Sequence, residues 1–215
     1  MALSKVDFNN INVTPAASKA LKFNSSANGF ETGDISGSMQ LLSTQTADGS
    51  GSSISFTSSI DSTYKEYIFK FINIHPSNDN VDFYVNFSAD SGSNYNVTKT
   101  TLYFRANHDE SASGSSIAYR ANEDVANGTG VTIMLQQGGN DNDQSGSGTL
   151  HLFDPSNTTF QKHFIARVQG MAHNDQILSD FMAGYLNTTS AIDAVQFSIE
   201  AGTLDSGTIK MYGVS

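Results

Sequence analysis

The sequence predicts an all-β fold: an antiparallel β-sandwich of jelly-roll type, preceded by a short extended or hairpin collar. Three observations carry this. Period-two alternation of apolar and polar residues dominates from about Ser38 onwards. Clusters of Gly, Asn, Asp and Ser punctuate that alternation at short intervals, supplying positive φ and local side-chain capping. No segment longer than two helical turns shows the stripe of apolar residues that a helix needs. Composition points the same way. Charged residues make up 15% of the 215-residue chain, well below the usual quarter, and Ser, Thr, Asn and Gly replace the Glu, Lys, Ala and Leu that helices favour.

The opening stretch "PAASKALKFNSSANGFETGD", Pro15 to Asp34, has only three large apolar residues: Leu21, Phe23 and Phe30. "KALKFN" and "NGFETGD" can form a hairpin around Ser25–Asn28, but two strands alone are marginal in water. Those three side chains need a partner surface: the rest of the domain, another copy, or a different protein. The expected division is an N-terminal segment over residues 1–35 and a head domain over residues 36–215, with the boundary near Asp34 at "GDISGS".

Within the head, "KEYIFKFINI" puts Tyr67, Phe69 and Phe71 on one face, with Ile68, Ile72 and Ile74 opposite. "VDFYVNFSA" is the clearest half-buried strand, with Val81, Phe83, Val85 and Phe87 on one face and Asp82, Tyr84, Asn86 and Ser88 on the other. "GVTIMLQQ", "TLHLF", "KHFIARVQGM", "SDFMAGYLN", "AVQFSIE" and the closing "GTIKMYGV" alternate likewise. Between them lie the turn sequences "HPSNDN", "ADSGSNYN", "ANGTG", "GGNDNDQSGSG" and "DPSNTT". The sum is roughly ten strands, a number that suits a sandwich or jelly roll.

Chemistry-bearing patterns are few. Asn140, Asp141, Asn142 and Asp143 offer hard oxygens, but neither a calcium-loop spacing nor a glycine nonapeptide repeat frames them, and a plain turn is the better reading. His108, Asp109 and Glu110 are adjacent. Consecutive residues at a strand end point in different directions, so they read as a solvated end and not as a cluster with His75, His151, His163 or His173. His151 and His163 can meet only if their strands are neighbours, and without a carboxylate in register they make no zinc site. No nucleophile elbow, zincin helix or phosphate loop is present in the sequence. No catalytic residue, metal ligand or cofactor is therefore assigned.

Formal net charge is −10, with a pI near 4.6. That argues against a phosphate-tracking nucleic-acid binder and against adhesion to an anionic membrane. There is no cysteine, which excludes disulfides, thiolate zinc sites and Cys nucleophiles. "MALSKVDFNNINV" contains no uninterrupted apolar core of a signal peptide, and no window approaches the length of an apolar membrane span.

Three segments together, "SSISFTSSIDSTYKEYIFKFINIHPSNDNVDFYVNFSADSGSNYN", "GTLHLFDPSNTTFQKHFIA" and "LDSGTIKMYGV", resemble a family of β-rich virion structural and tail-fibre proteins of tailed bacteriophages, especially marine ones. The resemblance spans about Leu41 to Val214 and rests on the order and spacing of turns and aromatics. "SKALKFNSSANGFE" is similar to segments that lead into the heads of phage fibres, where polar β-elements from several chains wrap together. The resemblance implies a non-enzymatic virion surface protein, a short tail or capsid fibre that is a homotrimer, with Leu21, Phe23 and Phe30 as interchain contacts. It further implies attachment to other virion proteins through the N-terminal segment, a head able to contact a host-surface glycan or protein, and assembly in the host cytoplasm. A capsid decoration (cement) protein and a monomeric carbohydrate-binding module are the alternatives.

Overall fold

The computed structural model describes residues 13–14, 19–33 and 39–214. The chain divides into two compact units, residues 1–38 and 39–215. The opening "MALSKVDFNNI" and the expected boundary near Asp34 lie outside the described residues.

The first unit is a hairpin of β1 (Ala20–Phe23) and β2 (Phe30–Gly33). Its turn falls where the sequence places it. Asn24 accepts from the Asn28 amide N–H (3.2 Å) through its side-chain oxygen and donates to the Asn28 side chain (2.9 Å), while Ala27 takes a positive φ of 54°.

The second unit contains twelve strands: β3 (Met39–Thr46), β4 (Ser53–Phe56), β5 (Glu66–Pro76), β6 (Val81–Ser88), β7 (Lys99–Asp109), β8 (Ser115–Tyr119), β9 (Thr132–Gly138), β10 (Gly146–Phe153), β11 (Lys162–Met171), β12 (Gln176–Leu186), β13 (Ala194–Ile199) and β14 (Leu204–Val214). They form an eight-stranded sheet, β3-β14-β5-β10-β11-β12-β7-β8, and a four-stranded sheet, β4-β13-β6-β9. Neighbouring strands pair antiparallel. The fold is thus an all-β sandwich with unequal sheets, and the closing strand β14 is tied in between β3 and β5. No helix among the described residues is long and apolar enough to cross a membrane.

The core lies between the sheets, and its densest part is aromatic. Phe197 on β13 meets Phe71 at 4.9 Å, Phe69 at 5.3 Å, Phe83 at 6.0 Å and Phe56 at 6.2 Å between ring centroids. Phe69 and Phe71 come from the large sheet and the others from the small one, so this cluster joins the two layers. Val81, Phe83, Val85 and Phe87 are all buried, as their alternation requires.

Two sequence expectations need correction. Ile74 does not share a face with Ile68 and Ile72. Pairing with β10 slips between Phe71 and Ile74, Asn73 adopts a φ of 51°, and the resulting bulge returns Ile74 to the core. The loop "GGNDNDQSGSG" is also shorter than it reads, because Gly146, Ser147 and Gly148 already belong to β10.

One end of the sandwich is closed by two inward-pointing lysines. Lys162 and Lys99 flank Leu186 in register across β11, β12 and β7. The Lys99 ammonium donates to Asn86 Oδ1 at 2.6 Å and to the Val97 carbonyl at 3.3 Å, and that of Lys162 to the Thr188 carbonyl at 3.1 Å. Burial pushes the Lys99 pKa down to about 8 and lowers that of Lys162 as well.

Candidate functional site

In the hairpin, Phe23 pairs with Phe30 and Leu21 with Thr32. Leu21 and Phe23 are two residues apart, so both lie on one face, and Phe30 joins them across the turn. Lys22 and Glu31 form an ion pair at 3.4 Å from the opposite face. The Phe23 and Phe30 rings stack at 4.9 Å, yet Phe23 remains 66% exposed, and Leu21 and Phe30 46% each. The three contact residues proposed from sequence therefore form one continuous apolar surface open to solvent.

The side chains that looked chemically suggestive do not converge. Asn140 donates to the Ser77 carbonyl at 3.0 Å, and the Asp141 carbonyl faces His75 Nε2 at 3.2 Å. Asp109 accepts from the Ser111 N–H at 2.7 Å and from the Ser113 hydroxyl at 3.3 Å, which hold its carboxyl below the usual range. It caps the β7–β8 turn. Among the described residues no three His, Asp or Glu side chains group in a way that could hold a metal ion. β10 and β11 are neighbours, but His151 pairs with Ile165 and His163 with Phe153, so the two imidazoles are offset. His151 instead contacts the Glu66 carboxylate at 2.6 Å, a partner from β5 that no local sequence pattern reveals.

A buried polar cluster lies inside the sandwich. Arg105 on β7 is 1% exposed and Asp180 on β12 fully buried. They face each other in register and pair bidentately, Nε to Oδ1 at 2.7 Å and Nη2 to Oδ2 at 3.0 Å. Arg105 also donates to the Tyr103 hydroxyl at 3.0 Å, and Asp180 accepts from the Gln136 N–H at 3.3 Å on β9. Burial opposes the Arg105 charge, but the Asp180 hydrogen bonds and attraction outweigh it and raise its pKa. The cluster fastens the small sheet's edge strand β9 to the large sheet.

Next to it, Asp82 accepts from the Gln137 N–H at 2.8 Å. Burial, reinforced by the nearby Glu200 carboxylate, pushes its pKa from 3.8 up to about 6. A folded-state pKa above the unfolded one means that the folded state holds the extra proton. This group's contribution to stability is therefore largest below pH 4 and is lost as pH rises through 6. Asp82→Asn, which keeps the acceptor oxygen, is expected to raise stability at pH 7 by about 1 kcal/mol, discounted for partial solvent screening. At pH 4 it should change almost nothing. Urea unfolding of both chains at the two pH values checks this.

The outer face of the eight-stranded sheet is the most unusual surface. β7 turns Thr101, Tyr103 and Arg105 inwards and Leu102 and Phe104 outwards, where they are 43% and 38% exposed. On β12, Phe181 and Tyr185 flank the small Ala183. That dip is the floor of a depression of about 340 Å³ walled by Leu102, Phe104, Ile165, Arg167 and His151. Phe181 lies between Phe104, stacked parallel at 4.8 Å, and the Arg167 guanidinium at 4.9 Å. Alternation alone gave no sign of this face, because a period-two strand does not say which side is outermost.

Comparison with protein-family models, with curated proteins and with solved structures finds no match to this chain.

Proposed function

We propose that the protein is a non-enzymatic virion surface protein of a tailed bacteriophage, a short trimeric tail or capsid fibre whose N-terminal hairpin joins the copies. The observation that carries this reading is the hairpin itself. Two four-residue strands with Leu21, Phe23 and Phe30 exposed on one face cannot be stable in water alone, and a symmetric homo-oligomer is the commonest way to bury such a patch. The resemblance of the sequence to phage virion proteins supplies the setting: assembly with other capsid or tail proteins in the host cytoplasm, and a head that contacts a host-surface glycan or protein. The polar cluster of the sandwich favours a structural role, since Arg105 and Asp180 are sealed from substrate-sized molecules.

Nothing in the site geometry particularly favours a monomeric carbohydrate-binding module.

The test is Leu21→Ser, Phe23→Ser and Phe30→Ser together in the full chain. Three apolar anchors, each worth about 1 kcal/mol or more at an interface, should weaken the trimer at least about a hundred-fold. Light scattering over a dilution series reads that shift. An unchanged dissociation profile would remove the hairpin from the assembly.

A further inference from the structure

We propose that the outer face of the eight-stranded sheet is a second self-association surface, covered in the assembled protein by another copy of the same chain. The inference does not depend on the viral assignment.

The first support is the orientation of the strands. β7 points Leu102 and Phe104 at solvent and an arginine and a threonine into the core. A one-residue slip in register would exchange the two sets, so the chain specifies the arrangement with apolar groups outside. β11 and β12 add outward Ile165, Ile177 and Phe181 to inward Phe164, Val168, Leu178 and Met182. β12 is thus largely apolar on both sides, the pattern of a strand covered on both faces. The edge strand β8 extends the surface, with Ile117 and Tyr119 exposed at 80% and 62%.

The second support is area. The four strands β11, β12, β7 and β8 present a face on the order of 600 Å², polar and apolar groups together, from strand spacing and rise. The whole eight-stranded face comes to roughly 1,200 Å² by the same arithmetic. The whole face exceeds the roughly 800 Å² that one partner contributes to a standard interface.

The third support is charge. Lys210, Lys70, Thr149 and Arg167 lie in one cross-strand row with Phe181, Phe104 and Tyr119. Lys210 and Lys70 are directly opposed, an arrangement that destabilises a sheet unless anions are near. Among the described residues, Lys70, Lys210 and Arg167 have no ion pair. Lys70 rests on the Tyr212 ring at 5.2 Å and Arg167 on Phe181, so both are held in place with N–H groups to spare. The occupant must bring apolar surface to the middle of the face and carboxylates to this row. A chain with 21 acidic and 11 basic residues brings both, with Glu110 exposed at the opposite flank, in the turn between β7 and β8.

The test compares four full-length chains: unaltered, Phe23→Ser with Phe30→Ser in the hairpin, Leu102→Lys with Ile165→Lys on the sheet face, and all four substitutions together. Light scattering gives mass against concentration, and far-UV circular dichroism confirms folding. Should the lysines prevent folding, Leu102→Thr with Ile165→Thr takes their place, because Thr suits an exposed strand. The expected result is that the hairpin variant still associates as concentration rises, and that the combined variant stays at the 23.0 kDa monomer mass throughout. A hairpin variant that is monomeric at every concentration, or face substitutions that leave the mass unchanged in both backgrounds, would overturn the proposal. An oligomer that survives the hairpin substitutions but not the face substitutions upholds the face and refutes the hairpin's role.

Discussion

Phe197→Ala is expected to cost about 3–5 kcal/mol, the range for removing a large aromatic from a core that cannot collapse around the gap. Phe197 is fully buried and touches four phenylalanines from both sheets. The backbones of Phe69, Phe71 and Phe83 are fixed by ladders on either side and that of Phe56 by one, so the space cannot close by moving one strand. A loss that large is a substantial fraction of a typical domain's stability. Chemical denaturation should show it as a lower midpoint with little change in slope. A cost below about 1 kcal/mol would mean that the aromatic cluster does not hold the layers together.

Asp180→Ala is the second large effect, again about 3–5 kcal/mol, because it strands the Arg105 charge in the core. The Gln136 N–H loses an acceptor in the same step. Replacing both partners, with Arg105→Met and Asp180→Leu, should recover most of that loss, since two apolar side chains of similar volume leave no unpaired charge in the core. The double-mutant cycle reads the coupling directly. If Asp180→Ala and the double replacement prove equally costly, the pair is not the element that ties β9 to the large sheet.

The buried charges also explain where sequence reading stops. Alternation made β5, β6 and β9 to β14 legible, because each places apolar residues at every second position facing the core. β7 was not among the strands recognised. Its inward set is Lys99, Thr101, Tyr103 and Arg105, which reads as the solvent side of a strand. Partners on other strands, Asn86 on β6 and Asp180 on β12, make that inward set tolerable. β4 and β8 are too short to show a period, and β3 is polar at most positions. The bulge at Asn73 was equally invisible, since it depends on how two neighbouring strands pair with β5.

The candidate surfaces divide in the same way. Leu21, Phe23 and Phe30 could be picked out because the residues around them are so polar, and the hairpin register then places them on one face. The sheet face could not, because its residues come from strands that are apart in the chain. Phe104 and Phe181 meet only through the β7–β12 pairing. Glu66 reaches His151 only because β5 and β10 are neighbours. Which of two alternating faces a sandwich buries is decided by the partner sheet, not by the strand.

Both proposed surfaces rest on one central claim, that the protein works as an assembly of its own copies. Light scattering of the unaltered full-length chain tests this most directly. The account expects about 69 kDa, three times the 23.0 kDa chain mass. A mass of 23.0 kDa that persists at every concentration would contradict it.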